Sequence, residues 1–123
     1  MPFLTHLLVF LWDWGSWVKL VIDDKLPTDG EKLVFSASRC GSVFWLPLLE
    51  KAMAKMYGCY ETLSKNCSLA DAVTLMTGCP AEVVSVSSDS EQNMFRLMVE
   101  ELDKDSLLCV TSKVGQPRDY SSC

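Results

Sequence analysis

Apolar and polar positions in the first third of the chain follow the pattern of short strands joined by turns. The segments Leu7–Trp12 and Trp17–Ile22 are apolar and rich in residues that favour β-structure. Between them, Asp13–Ser16 carries turn-forming residues, and Gly15 can adopt the positive φ angle of a tight turn. This pattern predicts a β-hairpin.

A second turn and a third strand follow the hairpin in this pattern. Pro27 and the pair Asp29-Gly30 mark the turn, and Leu33–Ala37 is a short apolar run of strand length. We therefore expect the first third of the chain to form one small antiparallel sheet.

The apolar spacing then changes to a helical period. Apolar residues recur at steps of three and four, as on the buried face of a helix: Trp45, Leu48, Leu49, Ala52, Met53 and Met56. Glu50, Lys51 and Lys55 take the opposite face. Pro47 is tolerated because it falls in the first turn, and Gly58 ends the helix.

The next segment carries the start and stop signals of a second helix. Ser68 with Asp71 three residues later is close to a capping box, in which two side chains satisfy backbone N–H groups at the helix start. Gly78 and Pro80 then end the helix.

The last third predicts one more helix between two strands. Ser88 with Glu91 repeats the capping pattern before an amphipathic run with apolar residues at Met94, Phe95, Leu97, Met98 and Leu102. The segments Ala81–Ser87 and Ser106–Val114 have the composition of strands, and Gly115–Cys123 resembles a loose tail. Strands, then helices, then a strand predict an α+β fold.

Composition and charge narrow the class of protein. The 123 residues amount to about one domain, and 49% hydrophobic with 22% charged residues suits a packed core. The net charge of -5 and the lack of a basic run argue against nucleic acid as a partner. The six cysteines contain no Cys-x-x-Cys spacing, which disfavours zinc-ribbon and thioredoxin-like sites.

The apolar start of the chain lacks the features of a targeting segment. Residues 1–15 show no basic stretch before the apolar run and no small-residue cleavage site after it, and the run is too short to span a bilayer. We therefore expect a cytoplasmic, intracellular protein with reduced thiols and no membrane span. A cleaved signal peptide is the alternative that these features disfavour.

Cys40 is the first candidate nucleophile, because the adjacent Arg39 would favour its thiolate form. A cysteine protease also needs a histidine, and the single histidine is His6, in an apolar run before every cysteine. The stretch Ala37–Gly41 lacks the glutamine of the caspase pattern. We interpret Cys40 as a loop thiol and His6 as a strand or terminus residue.

Other candidate sites have simpler structural interpretations. One carboxylate of Asp23-Asp24 is expected to bind backbone amides in the turn before Pro27 rather than a metal. The acids of Glu100–Asp105 suit a solvated helix end. The tryptophans that could form a ligand-binding shelf are expected to pack across the hairpin instead: Trp12, Trp14 and Trp17.

Several sequence blocks together resemble one protease family. The most specific are Val21-Ile22-Asp23-Asp24-Lys25-Leu26-Pro27, Leu49-Glu50-Lys51-Ala52, Ala54-Lys55, Gly58-x-Tyr60-Glu61 and Thr77-Gly78. In this order, from Gly15 to Val114, the chain resembles the calpain family of papain-like cysteine proteases. Two segments, "SRCGSVFWLPLLEKA" and "TGCPAE", are most similar to its small-optic-lobes branch. The resemblance implies a partial papain-like core: a small antiparallel sheet packed with amphipathic helices, from an intracellular endopeptidase that acts on proteins or peptides.

The resemblance also implies where the catalytic residues lie. The family's nucleophilic cysteine, in a Gly-x-Cys-Trp context, precedes the matching region, and its histidine and asparagine, in Gly-His-Ala-Tyr and Asn-Pro-Trp-Gly contexts, follow it. No catalytic residue carries over to this chain, so we expect it to be a truncated protease core that is inactive alone. A non-catalytic binding or regulatory module, or a pseudoprotease fragment, is the alternative.

The resemblance divides the chain into three parts and informs its expected ligands. Residues 1–78 match the end of the first protease subdomain, residues 79–114 the start of the second, and residues 115–123 form an unmatched tail. Conventional members hold calcium with an acid just before a Phe-Trp pair, where this chain has Val43, so no cofactor or metal residue is expected. We also expect uncovered apolar surface around Trp12, Trp17, Val21 and Phe35, and hence marginal stability or self-association.

Overall fold

The computed structural model describes residues 6–39, 43–86 and 91–111, and these fall into two compact units that divide after Pro80. Strands and helices both occur, so the predicted α+β class is confirmed. The division lies close to the predicted subdomain boundary after residue 78, which itself stays a prediction. Among the described residues, the structure contains no helix with the length and apolar character needed to cross a membrane.

The predicted hairpin is confirmed and forms the largest sheet. Strands β1 (Leu7–Asp13) and β2 (Ser16–Ile22) pair antiparallel, with Leu7 opposite Ile22 and Asp13 opposite Ser16. Because side chains alternate between the two faces of a strand, Leu11 and Ile22 point to one face and are buried there. This inner face packs against helices α1 (Trp45–Tyr57) and α3 (Leu69–Thr77).

The outer face of the hairpin is mostly apolar and largely exposed, with the charged Lys19 opposite Phe10. We use this term for the side chains that alternate with the buried ones and are 40–55% exposed: Leu8, Phe10, Trp17 and Val21. Of the four residues expected to lack a cover, Trp17 and Val21 are exposed on this outer face, whereas Trp12 and Phe35 are half-buried; that a covering element is missing stays a prediction.

The predicted third strand is much shorter than Leu33–Ala37. A two-residue strand β3 (Thr28–Asp29) pairs with β4 (Lys32–Leu33), and residues 34–37 are irregular. This tight hairpin forms a sheet of its own and does not extend the β1–β2 sheet. The prediction of one continuous sheet was wrong because Ser36 hydrogen-bonds to a helix side chain instead of a neighbouring strand.

Helix α1 supplies more of the core of the first unit than any other described element. Ala52 and Met53 are buried against Leu11, Ile22 and Leu75, as the apolar spacing predicted. Pro47 lies in the first turn. The helix ends at Gly58, whose φ of 101° is accessible to glycine at little cost.

Two shorter helices complete the first unit. Helix α2 (Tyr60–Asn66) was not predicted. Helix α3 begins with the predicted capping box: Asp71 N–H donates to Ser68 Oγ at 3.1 Å, and Ser68 N–H donates to Asp71 Oδ2 at 2.9 Å. These bonds satisfy backbone donors that have no partner within the helix.

The second unit contains the predicted amphipathic helix but neither predicted strand. Helix α4 spans Glu91–Asp103, while residues 81–86 and 106–111 are irregular. A strand needs a neighbour for its backbone groups, and no strand of the described chain pairs with either segment. Ser88, the predicted cap of α4, and residues 112–123 lie outside the described residues.

The contact between the end of α3 and the hairpin tryptophans predicts a specific glycine requirement. Gly78 has φ 73°, and a Cβ there would lie 3.2 Å from Trp12 Cδ2, whereas Gly30, with φ 66°, has open space. Both Gly→Ala substitutions force alanine into the left-handed region, but only Gly78→Ala also crowds the indole. We expect Gly78→Ala to lower the free energy of unfolding by about 1–2 kcal/mol more than Gly30→Ala, measured by urea unfolding. Equal losses in the free energy of unfolding would show that the contact with the indole does not affect stability.

Candidate functional site

Three of the sequence blocks that carry the family resemblance, Val21–Pro27, Leu49–Ala52 and Ala54–Lys55, meet at the junction between helix α1 and the turn after β2. Lys51 Nζ forms an ion pair with Asp23 Oδ1 and also donates to the backbone oxygens of Asp23 and Lys25. Asp23 Oδ1 in turn accepts from Lys25 N–H at 2.8 Å. We call this arrangement the lysine clamp. The single ammonium group of Lys51 thus binds three oxygens of the turn.

A second lysine of α1 extends these contacts along the same segment. Lys55 lies one helical turn after Lys51, and its Nζ donates to Val21 O at 2.6 Å. The carbonyls of Val21, Asp23 and Lys25 are therefore all bound by two ammonium groups from one helix. The predicted placement of both lysines opposite the core is compatible with this, because their long side chains reach the sheet edge.

Glu50 makes the third polar contact between α1 and the loop. Its Oε2 accepts from Ser36 N–H at 2.9 Å and from the Ser36 hydroxyl at 2.5 Å. The carboxylate thus replaces the strand partner that Ser36 lacks. It also pins the loop 14 residues before it in the chain.

An aromatic pair lies beside this contact and borders a shallow depression. The rings of Phe35 and Tyr60 stack with centroids 4.0 Å apart and planes 7° from parallel. Burial raises the pKa of the Tyr60 hydroxyl. The depression has room for about one water and is lined by Leu26, Pro27, Leu33, Phe35, Ser36, Pro47, Glu50 and Tyr60. Its size suits a packed junction between α1 and the preceding loop.

One member of the first candidate dyad is not among the described residues. Cys40 lies outside the described residues, so its predicted role as a loop thiol stays a prediction. His6 is exposed directly before β1. Trp12 and Trp17 pack edge to face across the hairpin, with ring centroids 5.4 Å apart, as predicted, whereas Trp14 is 99% exposed at the turn.

The described cysteines are reduced and differ in their surroundings. Cys59 caps α2, and the hydroxyl and backbone N–H of Thr62 at its sulfur lower the pKa of this exposed thiol. Burial raises the pKa of the Cys67 thiol, which contacts Tyr57. The pKa of the Tyr57 hydroxyl rises to about 12, chiefly through burial. Helix capping at Cys59 and packing at Cys67 thus explain the shifted pKa values of both thiols.

The acidic residues make structural contacts as well. Asp23 binds Lys25 N–H before Pro27, which confirms the prediction of a turn carboxylate, while Asp24 is exposed. Glu101 in the acidic helix end pairs with Lys104 at 2.8 Å. Within residues 6–39, 43–86 and 91–111, no three His, Cys, Asp or Glu side chains come together as a metal site. Val43 is 37% exposed just before α1.

Comparison with known proteins gives one consistent result. The profile of the calpain family cysteine protease matches residues 6–122. Calpain-5 of Caenorhabditis elegans is 41% identical over 79% of this chain, the calpain-1 catalytic subunit of Mus musculus 39% over 91%, and the calpain-2 catalytic subunit of Bos taurus 43% over 79%. The chain spans only 14–16% of the length of these relatives.

The lysine clamp predicts how stability depends on pH. The hydrogen bond from Lys51 is the largest cause that lowers the pKa of the Asp23 carboxyl below its ordinary 3.8. A carboxyl whose pKa is lower in the folded state stabilises that state above the unfolded pKa and loses this effect as pH falls. We expect Asp23→Asn to destabilise the chain at pH 7, with the difference from wild type shrinking below about pH 4. Urea unfolding at pH 7 and pH 3 measures this, with Asp29→Asn as the control. A difference that is constant with pH would contradict it.

Proposed function

Because the chain belongs to the calpain family of cysteine proteases, we propose that it forms a non-catalytic supporting part of a calpain-type endopeptidase core. In this proposal the residues that attack the peptide bond come from polypeptide outside these 123 residues. The chain taken alone then has no peptidase activity. Its contribution is to hold the β1–β2 hairpin, the following turn and helix α1 in one fixed arrangement.

The observation that carries this proposal is the structural use of the family blocks. Asp23 and Lys51 bind each other, Glu50 binds Ser36, and Tyr60 stacks on Phe35. The blocks Val21–Pro27 and Leu49–Ala52 thus bind each other, while Glu50 and Tyr60 hold the loop at Ser36 and Phe35. A cysteine protease needs a thiolate with a histidine within hydrogen-bond reach, and the chain has a single histidine.

The proposal also covers the substrates, the cellular compartment and the family branch of the whole enzyme. Its substrates are proteins or peptides, its compartment is the cytoplasm, and its branch is the small-optic-lobes type. Calcium is not held at Val43, because the side chain supplies no oxygen ligand. The acidic charge and the lack of a basic run favour proteins over nucleic acid as partners.

An electrophilic probe tests the catalytic part of the proposal. Apart from background labelling at Cys59, we expect an epoxide-type cysteine protease probe to label the native chain no faster than the chain in urea, with mass spectrometry as the measurement. We also expect no cleavage of an unstructured protein, with or without calcium. Cys59→Ser serves as the control, because its exposed thiol with a lowered pKa is the main expected source of background labelling.

One outcome would overturn the proposal. This is stoichiometric labelling of a single cysteine in the native chain that both denaturation and His6→Ala abolish. Labelling that Cys59→Ser removes and His6→Ala leaves unchanged supports it, because such reactivity belongs to an isolated thiol.

The open apolar surface supports a second candidate function, a binding module that associates with a second copy or with another protein. The outer face contributes Leu8, Phe10, Trp17 and Val21, and Trp14 lies fully exposed beside it. Contiguous apolar patches of this kind are typical of interaction surfaces. This candidate does not need catalytic residues and is compatible with the first.

Light scattering after size exclusion tests this association. We expect the wild-type chain to self-associate in the micromolar range and Phe10→Ser to weaken association by about ten-fold, because it removes the central aromatic ring of the outer face. Phe95→Ser is the matched control, since Phe95 is 70% exposed in the other unit. A monomeric wild-type chain at high concentration, or equal effects of both variants, would exclude the outer face as the contact.

A further inference from the structure

Three oxygens of the turn after β2 surround one position, which the Lys51 ammonium group occupies. They are Asp23 Oδ1 and the main-chain oxygens of Asp23 and Lys25, and each accepts a hydrogen bond from Lys51 Nζ. An ammonium group has three donors, so each of them has an oxygen partner here. Two carbonyls and a carboxylate around one point are also the kind of ligands that hard cations bind.

The turn holds part of this arrangement without the help of Lys51. Asp23 Oδ1 accepts from Lys25 N–H at 2.8 Å, and this bond keeps the carboxylate beside the backbone of Lys25. The Val21 carbonyl, two residues before Asp23, is bound separately by Lys55. Removing the Lys51 side chain therefore leaves contacts in place that help to keep the three oxygens together.

The charge and the ligands at this position favour a monovalent cation. One carboxylate with two neutral carbonyls balances a single positive charge, whereas calcium takes about six to eight oxygen ligands. The nearby ammonium group of Lys55 further disfavours a divalent ion by charge repulsion. The side chains of Lys51 and Asp23 are 20% and 46% exposed, so solvent and small ions can reach the position.

We propose that the Asp23–Lys25 turn forms a binding site for a monovalent cation, and that Lys51 fills this site with a cation from the chain itself. In the wild-type chain the turn therefore needs no free ion. A short side chain at position 51 opens the site to a free cation of similar size, such as ammonium or potassium. This exchange of one monovalent cation for another conserves charge and restores the contacts of the three oxygens.

Two variants at one position test the proposal. Lys51→Ala leaves the oxygens without their partner, whereas Lys51→Met fills the same space with an uncharged chain of similar length. Urea unfolding, followed by far-ultraviolet circular dichroism, is measured in the chlorides of ammonium, potassium and tetramethylammonium at equal ionic strength. Tetramethylammonium is the reference cation, because it carries the same charge but is too large to fit among the three oxygens and has no N–H donor.

We expect ammonium to raise the folding equilibrium constant of Lys51→Ala above its value in tetramethylammonium, by about ten-fold at about ten times the dissociation constant of the ion. Potassium should act in the same direction because its size is close to that of ammonium. Lys51→Met and the wild-type chain should respond equally to all three salts, since their site is filled. Adding Asp23→Asn to Lys51→Ala should abolish the ammonium effect, because it removes the negatively charged ligand.

Two results would overturn the proposal. The first is an equal response of Lys51→Ala and Lys51→Met to ammonium, which means that the salt acts on the chain in general. The second is equal stability of Lys51→Ala in all three salts, which means that the oxygens bind no free cation. If Lys51→Ala is unfolded without added salt, the same series is read as refolding. Refolding in ammonium but not in tetramethylammonium then supports the site, and folding in both or in neither contradicts it.

Discussion

The first unit depends on one cation placed among three oxygens of a turn. Lys51 joins the middle of α1 to residues 26 and 28 positions earlier, and it does so beside the buried contacts of Ala52 and Met53. The apolar core fixes the distance between helix and sheet, but apolar packing is not directional. The ion pair and hydrogen bonds of Lys51 are directional and fix the orientation of the turn relative to α1. They determine where the chain goes after β2, and so where the β3–β4 hairpin and Ser36 lie relative to α1.

The two units differ in how completely they cover their apolar side chains. In the first, helices α1 and α3 bury one face of the hairpin and leave the other open. In the second, α4 presents Phe95 and Leu102 at 70% and 56% exposure, and its flanking segments expose Val83 and Val110 at 75% and 83%. Apolar side chains exposed in this way are typical of protein contact surfaces.

Signals within a short stretch of sequence predicted those elements that are specified by residues close together in the chain. The hairpin turn, the period of α1, its end at Gly58 and the Ser68–Asp71 box each depend on residues within a few positions of one another, and each is present. The strands expected at Leu33–Ala37, Ala81–Ser87 and Ser106–Val114 depend on a partner elsewhere, which composition does not reveal.

The candidate site shows the same limit on prediction. The Asp23 carboxylate was expected to bind a turn amide because that contact spans two residues. Its bond to Lys51 spans 28, and nothing in either neighbourhood signals it. The family resemblance identified these positions as important without indicating that they bind one another. Tyr60 and Ser36 were missed as site residues for the same reason, since a stacked ring and a hydroxyl that donates to a distant carboxylate are defined only by the folded arrangement.

The tryptophan pair of the hairpin gives the first unit a built-in spectroscopic reporter. Trp12 and Trp17 lie edge to face, with Gly78 at the end of α3 directly against both rings. Two indoles this close couple their electronic transitions and produce a near-ultraviolet circular dichroism signal that depends on their mutual angle. Trp14, fully exposed on the same turn, contributes solvent-quenched emission instead. The docking of α3 on the hairpin can therefore be followed by near-ultraviolet dichroism in an unlabelled sample.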